Sequence, residues 1–413
     1  MCISVYRNAC QMGYTPCIGL TRTRDASVIK IALALIGILI ATSARAVPHL
    51  VIDLNSGHVL SQQQAFDPWH PASLTKLMTA YAVFGALQSG EISPDHPVRV
   101  SKNARRQPPS RMGYRTGTTI TIEDALKLLV IKSANDISVA IAESVSGSVP
   151  AFAARMNRDA ERLGMTNSRF VNPHGLHDRR QVTTARDLAL LVRALHLRYP
   201  RYKTLFETPS VMAPSRTKNG KLIHRIYYSY NLLLERYRGA DGFKTGFVCA
   251  SGYNFIGSAT RSGRRIAAVV LGRDSQTSRV VDAAKLITEG FQLPLNAGQP
   301  IEQMKANGPV PSGPRNMRSV LCTKEARAAR YEPGAGHAFV KSPWLLERTV
   351  NRTPLKVALL GRSAAPVRLA RVPLPSFRPS IVPRPTVVQE PQLQPAPASV
   401  ARIPLPTFRP RAL

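Results

Sequence analysis

The run Pro71-Ala72-Ser73-Leu74-Thr75-Lys76-Leu77-Met78-Thr79 constrains this chain more than any other stretch. Proline suits the opening of a helix, and Leu74, Leu77, Met78, Tyr81, Ala82 and Ala86 then recur at helical spacing. The pattern predicts a helix over about 73–88 with Ser73 at its N-terminus. There, free N–H groups and the helix dipole favour negative charge. Lys76 lies three residues on, on the same face one turn later. A hydroxyl beside a lysine at a helix start is one way to build a nucleophile, because a desolvated, neutral lysine can take the serine proton. Taken alone, the pair fits a capping serine and a solvated lysine better.

Two further stretches change that balance. Ser133-Ala134-Asn135 interrupts a helical pattern, and Lys244-Thr245-Gly246 lies in a predicted strand. The order S-x-x-K, S-x-N, K-T-G is the signature set of penicillin-binding proteins and serine β-lactamases. The flanks extend the match through Ser133-Ala134-Asn135-Asp136, Asn172-Pro173-His174-Gly175-Leu176 and Asp241-Gly242-Phe243-Lys244-Thr245-Gly246. With them, residues 47–292 resemble the low-molecular-mass D-alanyl-D-alanine carboxypeptidases of peptidase family S11. The resemblance implies an α/β (α+β) chain with the β-lactamase/penicillin-binding-like fold. That fold has an antiparallel sheet flanked by helices, a helical subdomain, and the active site between them.

It also implies roles. Ser73 attacks, Lys76 serves as base, Ser133 relays a proton, and Asn135 holds the substrate amide and orients Lys76. Lys244 and Thr245 bind the terminal carboxylate, and Gly246 lets substrate backbone lie against the strand. The backbone N–H groups of Ser73 and Phe247 form the oxyanion hole. Arg279, at the start of the last helix, adds a second cation for the carboxylate, although as a residue it reads equally well as a solvated helix-face arginine. The implied substrates are peptidoglycan stem peptides and the implied inhibitors β-lactam antibiotics, with no metal or organic cofactor. A D,D-endopeptidase shares these motifs. A class A β-lactamase would want a further Glu between Ser133 and Lys244, and no such loop is evident. A non-catalytic wall-binding protein would not need the intact motif residues.

His174 and Asp187 complete a notional Ser-His-Asp set with Ser73, but each has a local explanation. A histidine in a tight turn usually bonds its neighbours, and Thr184-Ala185-Arg186-Asp187 has the form of a helix cap. Other predicted elements are a hairpin around Asn55-Ser56-Gly57, a capped helix from Thr121 through Ile131, helices over 137–145, 151–163, 184–197 and 276–290, and strands over 243–248, 252–259 and 265–272. Residues 105–119 read as a basic surface loop and 200–231 as irregular chain with short strands.

The ends differ from the middle. Residues 31–41 are eleven apolar residues preceded by Arg22, Arg24 and Lys30 and followed by Ala44-Arg45-Ala46. This is the form of a secretory signal cut after Ala46, and it is short of the roughly 20 residues of an ordinary membrane span. It implies secretion across the inner membrane to a periplasmic or cell-wall location. Of five cysteines, those at 2, 10 and 17 would leave with that segment, and an oxidising compartment leaves a Cys249–Cys322 disulfide open, although spacing does not support it. No Cys/His cluster has metal-ligand spacing. From about 297 prolines crowd in and arginine dominates the charge, and Pro-Leu-Pro-Ser-Phe-Arg-Pro at 373–379 returns as Pro-Leu-Pro-Thr-Phe-Arg-Pro at 404–410. Residues 297–413 therefore read as an unpacked, extended tail rather than a second core. The formal net charge of +32 favours acidic partners. In the absence of any nucleic-acid motif, the anionic wall or membrane surface fits better.

Overall fold

The computed structural model describes residues 47–216, 219, 221–329, 341–347 and 353–362. The candidate signal segment and the duplicated Pro-Leu-Pro motif lie outside the described residues.

The architecture is built on a six-stranded sheet with β1 (His49–Asp53), β2 (His58–Gln63), β7 (Ala240–Val248), β8 (Gly252–Arg261), β9 (Arg264–Arg273) and β10 (Gln299–Pro300). The order is β10-β2-β1-β9-β8-β7, and every pairing is antiparallel. Strands β1 and β9 are continuous apolar runs because both faces of the sheet are covered. Successive side chains point to opposite faces. Leu50, Ile52, Ala267, Val269 and Leu271 join the larger core on one side. Val51, Ile266, Ala268 and Val270 pack with Val280, Ala283, Ala284 and Ile287 of the last long helix on the other. Each fully buried aliphatic side chain contributes about 1.5–3 kcal/mol.

Five long helices are numbered in chain order: α1 (Thr75–Gln88), α2 (Asn135–Ser146), α3 (Val149–Arg162), α4 (Ala185–Arg198) and α5 (Gln276–Gln292). α1 is buried nearly all round, from Thr75 to Phe84 without a break, so it runs through the core rather than lying on it. Ser73 belongs to a single 3₁₀ turn, Ala72–Leu74, immediately ahead of α1. The capped helix from Thr121 is also present, its Thr121 hydroxyl accepting the Asp124 N–H at 3.1 Å. It ends in a widened turn, Leu128–Lys132, and Ser133 then takes a left-handed backbone with φ of 62°. That single residue breaks the helical path, and α2 restarts at Asn135. Two three-stranded sheets flank the core. One pairs β3 (Pro97–Arg99), β4 (Thr118–Thr121) and β12 (Gly361–Arg362), and the other β5 (Ser210–Arg216), β6 (Leu222–Tyr228) and β11 (Leu355–Lys356).

The expected boundary at 296/297 is corrected. β10 pairs with β2, the Met317 N–H bonds the Ala250 carbonyl, and β11 and β12 extend the two smaller sheets. Cys249 and Cys322 are joined as a disulfide across a separation of 73 residues, with their Cα atoms 5.7 Å apart. Ile301, Leu321, Leu345 and Val357 are buried. These side chains are too widely spaced to form a periodic pattern, and Ile301, Leu345 and Val357 complete cores built by other elements, so no local pattern announces them.

Candidate active site

Two glycines allow the site to close. A Cβ on Gly175, whose φ is +85°, would lie 1.7 Å from the Ala72 carbonyl oxygen, so only glycine lets the 172–176 turn seat against the serine turn. A Cβ on Gly246 would lie 3.0 Å from the Pro71 carbonyl oxygen and 3.1 Å from the Ser73 nitrogen, which brings β7 alongside the same turn. The 172–176 turn is fixed by the Asn172 side chain, which accepts the Gly175 N–H at 2.7 Å, and by Thr79, whose hydroxyl donates to the Pro173 carbonyl at 2.7 Å.

Lys76 is fully buried at the meeting point of three elements. Its Nζ lies 2.9 Å from Ser73 Oγ, 2.8 Å from Asn135 Oδ1 and 2.7 Å from the His174 carbonyl oxygen. Burial drives its pKa well below the ordinary lysine value, the positive charge of Lys244 adds to this, and Asp136 opposes it. Lys244, on β7, donates to Ser133 Oγ at 2.9 Å and to the Thr245 carbonyl at 3.1 Å. Burial, helped by the charge of Arg279, lowers it to about 7. Arg279 projects from α5, donates to the Gly246 carbonyl at 3.4 Å, and lies over the Tyr253 ring at 5.5 Å. Burial lowers it only to about 10, so it keeps its charge at neutral pH.

The Ser133 turn is held from behind. The Asn135 N–H donates to the Ser110 carbonyl at 2.7 Å and its Nδ2 to the Pro108 carbonyl at 2.9 Å. Asp136 accepts the N–H groups of Met112, Gly113 and Ile137. Burial pushes the Asp136 carboxyl up, and those three N–H groups pull it back.

The elements enclose a cleft of about 610 Å³. Ser73, Ser133, Asn135, Thr245, Gly246, Phe247 and Arg279 line it, and Lys76 and Lys244 stand behind Ser73 and Ser133. A family profile of the D-alanyl-D-alanine carboxypeptidases, peptidase S11, matches residues 39–275 and so contains all three motifs. The chain belongs to this family.

Among the relatives of this S11 member, D-alanyl-D-alanine carboxypeptidase DacC of Escherichia coli is 35% identical over 264 residues, covering 61% of this chain and 63% of that protein. DacA of Haemophilus influenzae is 33% identical over 270 residues, covering 62% and 66%. The chain thus spans just under two thirds of the length of these relatives. Penicillin binding protein 5 from Haemophilus influenzae superposes with a TM-score of 0.55 at 31% identity, covering 60% of this chain and 71% of that one. Penicillin-Binding Protein D2 from Listeria monocytogenes, in a cefotaxime-bound form, gives 0.52 at 31%, covering 60% and 97%. These neighbours share the penicillin-binding fold expected from the motifs.

The cleft brings together Ser73, Lys76, Ser133, Asn135, Lys244, Thr245, Gly246, Phe247 and Arg279, and Asp187 lies outside it. Arg279, which read equally as a solvated arginine, is buried at the cleft. Asp187 accepts from Asn167, Ser168 and Arg186, which leaves it in a structural role. The His174 ring is neutral, since burial and then the charge of Lys76 lower it to about 3. Its Nδ1 accepts the Leu176 N–H at 3.1 Å. What faces Lys76 is the His174 carbonyl, a contribution that no side-chain pattern signals. Asp136 enters the sequence pattern only as a flank of the S-x-N motif, and its holding of the 112–113 backbone is visible only in the fold.

Proposed function

We propose that this chain is a serine-type D-Ala-D-Ala carboxypeptidase that removes the terminal D-alanine of peptidoglycan stem peptides through an acyl-enzyme. The observation that carries the reading is the setting of Lys76. Two of its three neighbours, Asn135 Oδ1 and the His174 carbonyl, can only accept hydrogen bonds. A neutral amine gives its two N–H groups to them and turns its lone pair to Ser73 Oγ, 2.9 Å away. The Ser73 hydroxyl proton passes to Lys76 as Oγ attacks the carbonyl of the penultimate D-Ala. The N–H groups of Ser73 and Phe247 receive the developing oxyanion, a contact of a kind worth roughly 3–4 kcal/mol. Ser133 accepts from Lys244, so its own proton is available to the leaving nitrogen. The C–N bond then breaks, D-alanine departs with the Ser133 proton, and the proton held by Lys76 returns to Ser133, which leaves Lys76 neutral again. Lys76 then takes a proton from water as the water oxygen attacks the ester carbonyl, and that proton passes to Ser73 Oγ as the ester bond breaks.

Lys244, the Thr245 hydroxyl and Arg279 hold the terminal carboxylate that defines a carboxypeptidase substrate. A β-lactam offers the same carbonyl and carboxylate and acylates Ser73, and the antibiotic-bound form of the Listeria neighbour supports this extension. Among the described residues the cleft lining holds no Asp or Glu to serve as a class A deacylation base, which favours a peptidase over a β-lactamase. The test is release of D-alanine from a purified pentapeptide muropeptide by wild type and Ser73→Ala. Wild type should release it and bind fluorescent penicillin covalently, and Ser73→Ala should do neither. Labelling of Ser73→Ala at the wild-type rate would overturn the assignment, and conversion of cross-linked dimers to monomers without free D-alanine would indicate an endopeptidase.

The site of action is read as extracytoplasmic, periplasmic or wall-associated. Contact between the basic residues after 362 and an anionic wall or membrane surface belongs to the same reading. Full-length protein should co-sediment with isolated wall more than a chain ending at 362, by a margin that shrinks with salt. Equal sedimentation of the two would remove the tail from the account.

A further inference from the structure

Two cations in the cleft have no part in the reaction as proposed. Arg111 and Lys132 line the wall that also carries Pro109, Ser110 and Ser133. Arg111 is exposed, and its guanidinium donates to the Gln107 carbonyl at 3.2 Å. Lys132 is half-buried, with its Nζ 5.2 Å from the centre of the Tyr227 ring. Neither has an ion-pair partner among the described residues.

The wall is rigid where Arg111 leaves it. On one side the Pro108 and Ser110 carbonyls accept from Asn135, and the Ser110 hydroxyl donates to the Lys132 carbonyl at 3.0 Å. On the other side Met112 and Gly113 donate to Asp136. The loop is therefore tied on both flanks of Arg111 to the residues on either side of the Ser133 turn. The carboxylate that reaches this loop, Asp136, is taken up by backbone N–H groups, and among the described residues the cleft lining has no Asp or Glu. Two cations on one tied wall, lining a cleft that holds no acidic group among the described residues, have the makings of an anion subsite.

We propose that Arg111 and Lys132 form a second anion subsite, which selects substrates whose residue preceding D-Ala-D-Ala carries a side-chain carboxylate. The inference rests on the carboxypeptidase reading for the substrate's orientation. With the terminal carboxylate on Lys244, Thr245 and Arg279 and the scissile carbonyl at Ser73, the acyl part of the peptide passes the Ser110–Arg111 wall. An arginine fork donates two hydrogen bonds to a carboxylate, and Lys132 adds a second charge from the same wall. A side chain ending in an amide would lose the charge, and one ending in an ammonium would be repelled.

The test uses three acetylated tripeptides, X-D-Ala-D-Ala with X as Glu, Gln or Lys, and wild type, Arg111→Gln and Lys132→Gln proteins. Wild type should prefer Glu over Gln by about tenfold in kcat/KM, carried mainly by KM, with Lys poorer still. Arg111→Gln should bring the Glu/Gln ratio near one, and Lys132→Gln should reduce it in part. Equal kcat/KM for Glu and Gln in wild type would overturn the subsite while leaving the carboxypeptidase reading intact, and so would a preference that survives both substitutions. Failure of wild type to release D-alanine from any of the three would count against the reaction itself. Calorimetric binding of the same peptides to Ser73→Ala then decides the subsite separately. A Glu preference that vanishes on adding Arg111→Gln supports it, and equal binding of Glu and Gln overturns it.

Discussion

Lys76 sits behind the serine turn and Lys244 on strand β7, both shut away from solvent within one cleft. Burial lowers both, but their neighbours differ. Arg279 keeps its charge and presses on Lys244, and Lys244 in turn presses on Lys76. Lys76 is surrounded by acceptors that a neutral amine can satisfy, whereas Lys244 faces a hydroxyl and stands beside Thr245 at the place proposed for an anion. Along such a row of cations, the proton is lost first where there is no substrate charge to hold it. On the proposed reading, identical side chains are thereby sorted into a base and a carboxylate-binding cation by what lies around them.

The sharpest way to break this comparison is an arginine at each position, because arginine keeps a cation but cannot act as a base near neutral pH. Lys76→Arg should lower acylation by about 10²–10⁴-fold, the range for removing a general base, measured by fluorescent penicillin labelling with thermal unfolding as the check on folding. If labelling survives Lys76→Arg, Lys76 is not the base.

Thr245→Val comes next and probes the Lys244 side alone. Loss of a hydrogen bond to a charged group costs about 1.5–3 kcal/mol, roughly ten- to more than a hundredfold in kcat/KM. The loss should appear on peptides with a free terminal carboxylate and be much smaller on the C-terminally amidated peptide. Parallel losses on both would mean that Thr245 merely suits a strand.

Lys244→Arg should have the smallest effect, about tenfold or less, since the charge survives. Its pH dependence carries the finer information. In wild type, kcat/KM should fall toward acid as Lys76 gains a proton and ceases to be a base. It should also fall as pH rises past about 7, where Lys244 loses the charge that holds the carboxylate. Arginine at 244 stays charged, so the alkaline limb should move to higher pH. An alkaline limb unchanged by Lys244→Arg would assign that limb to another group.

Much of the fold was legible in advance for the same reason the motifs were. The Asn55-Ser56-Gly57 hairpin, the Thr121 and Thr184 caps, and the late strands of the main sheet are set by turn chemistry and side-chain period within a few residues. The last long helix, α5, and the break at Ser133 were read in the same way. Less was legible after 297, where β10, the Cys249–Cys322 disulfide and the buried Leu345 depend on partners supplied from elsewhere in the chain.

By itself the sequence determined which chemical groups this protein carries and in what order: a serine and lysine one turn apart, a polar break between helices, and a strand with a lysine, a threonine and a glycine. Those are local patterns of residue type, and local backbone preferences are enough to specify them. The tertiary structure alone decided what the groups can do. Lys76 meets Asn135 across 59 residues and the His174 carbonyl across 98, and Lys244 meets Ser133 across 111. A lysine's proton affinity follows from the water it loses and the charges it gains, and both are set by segments brought together only when the core closes.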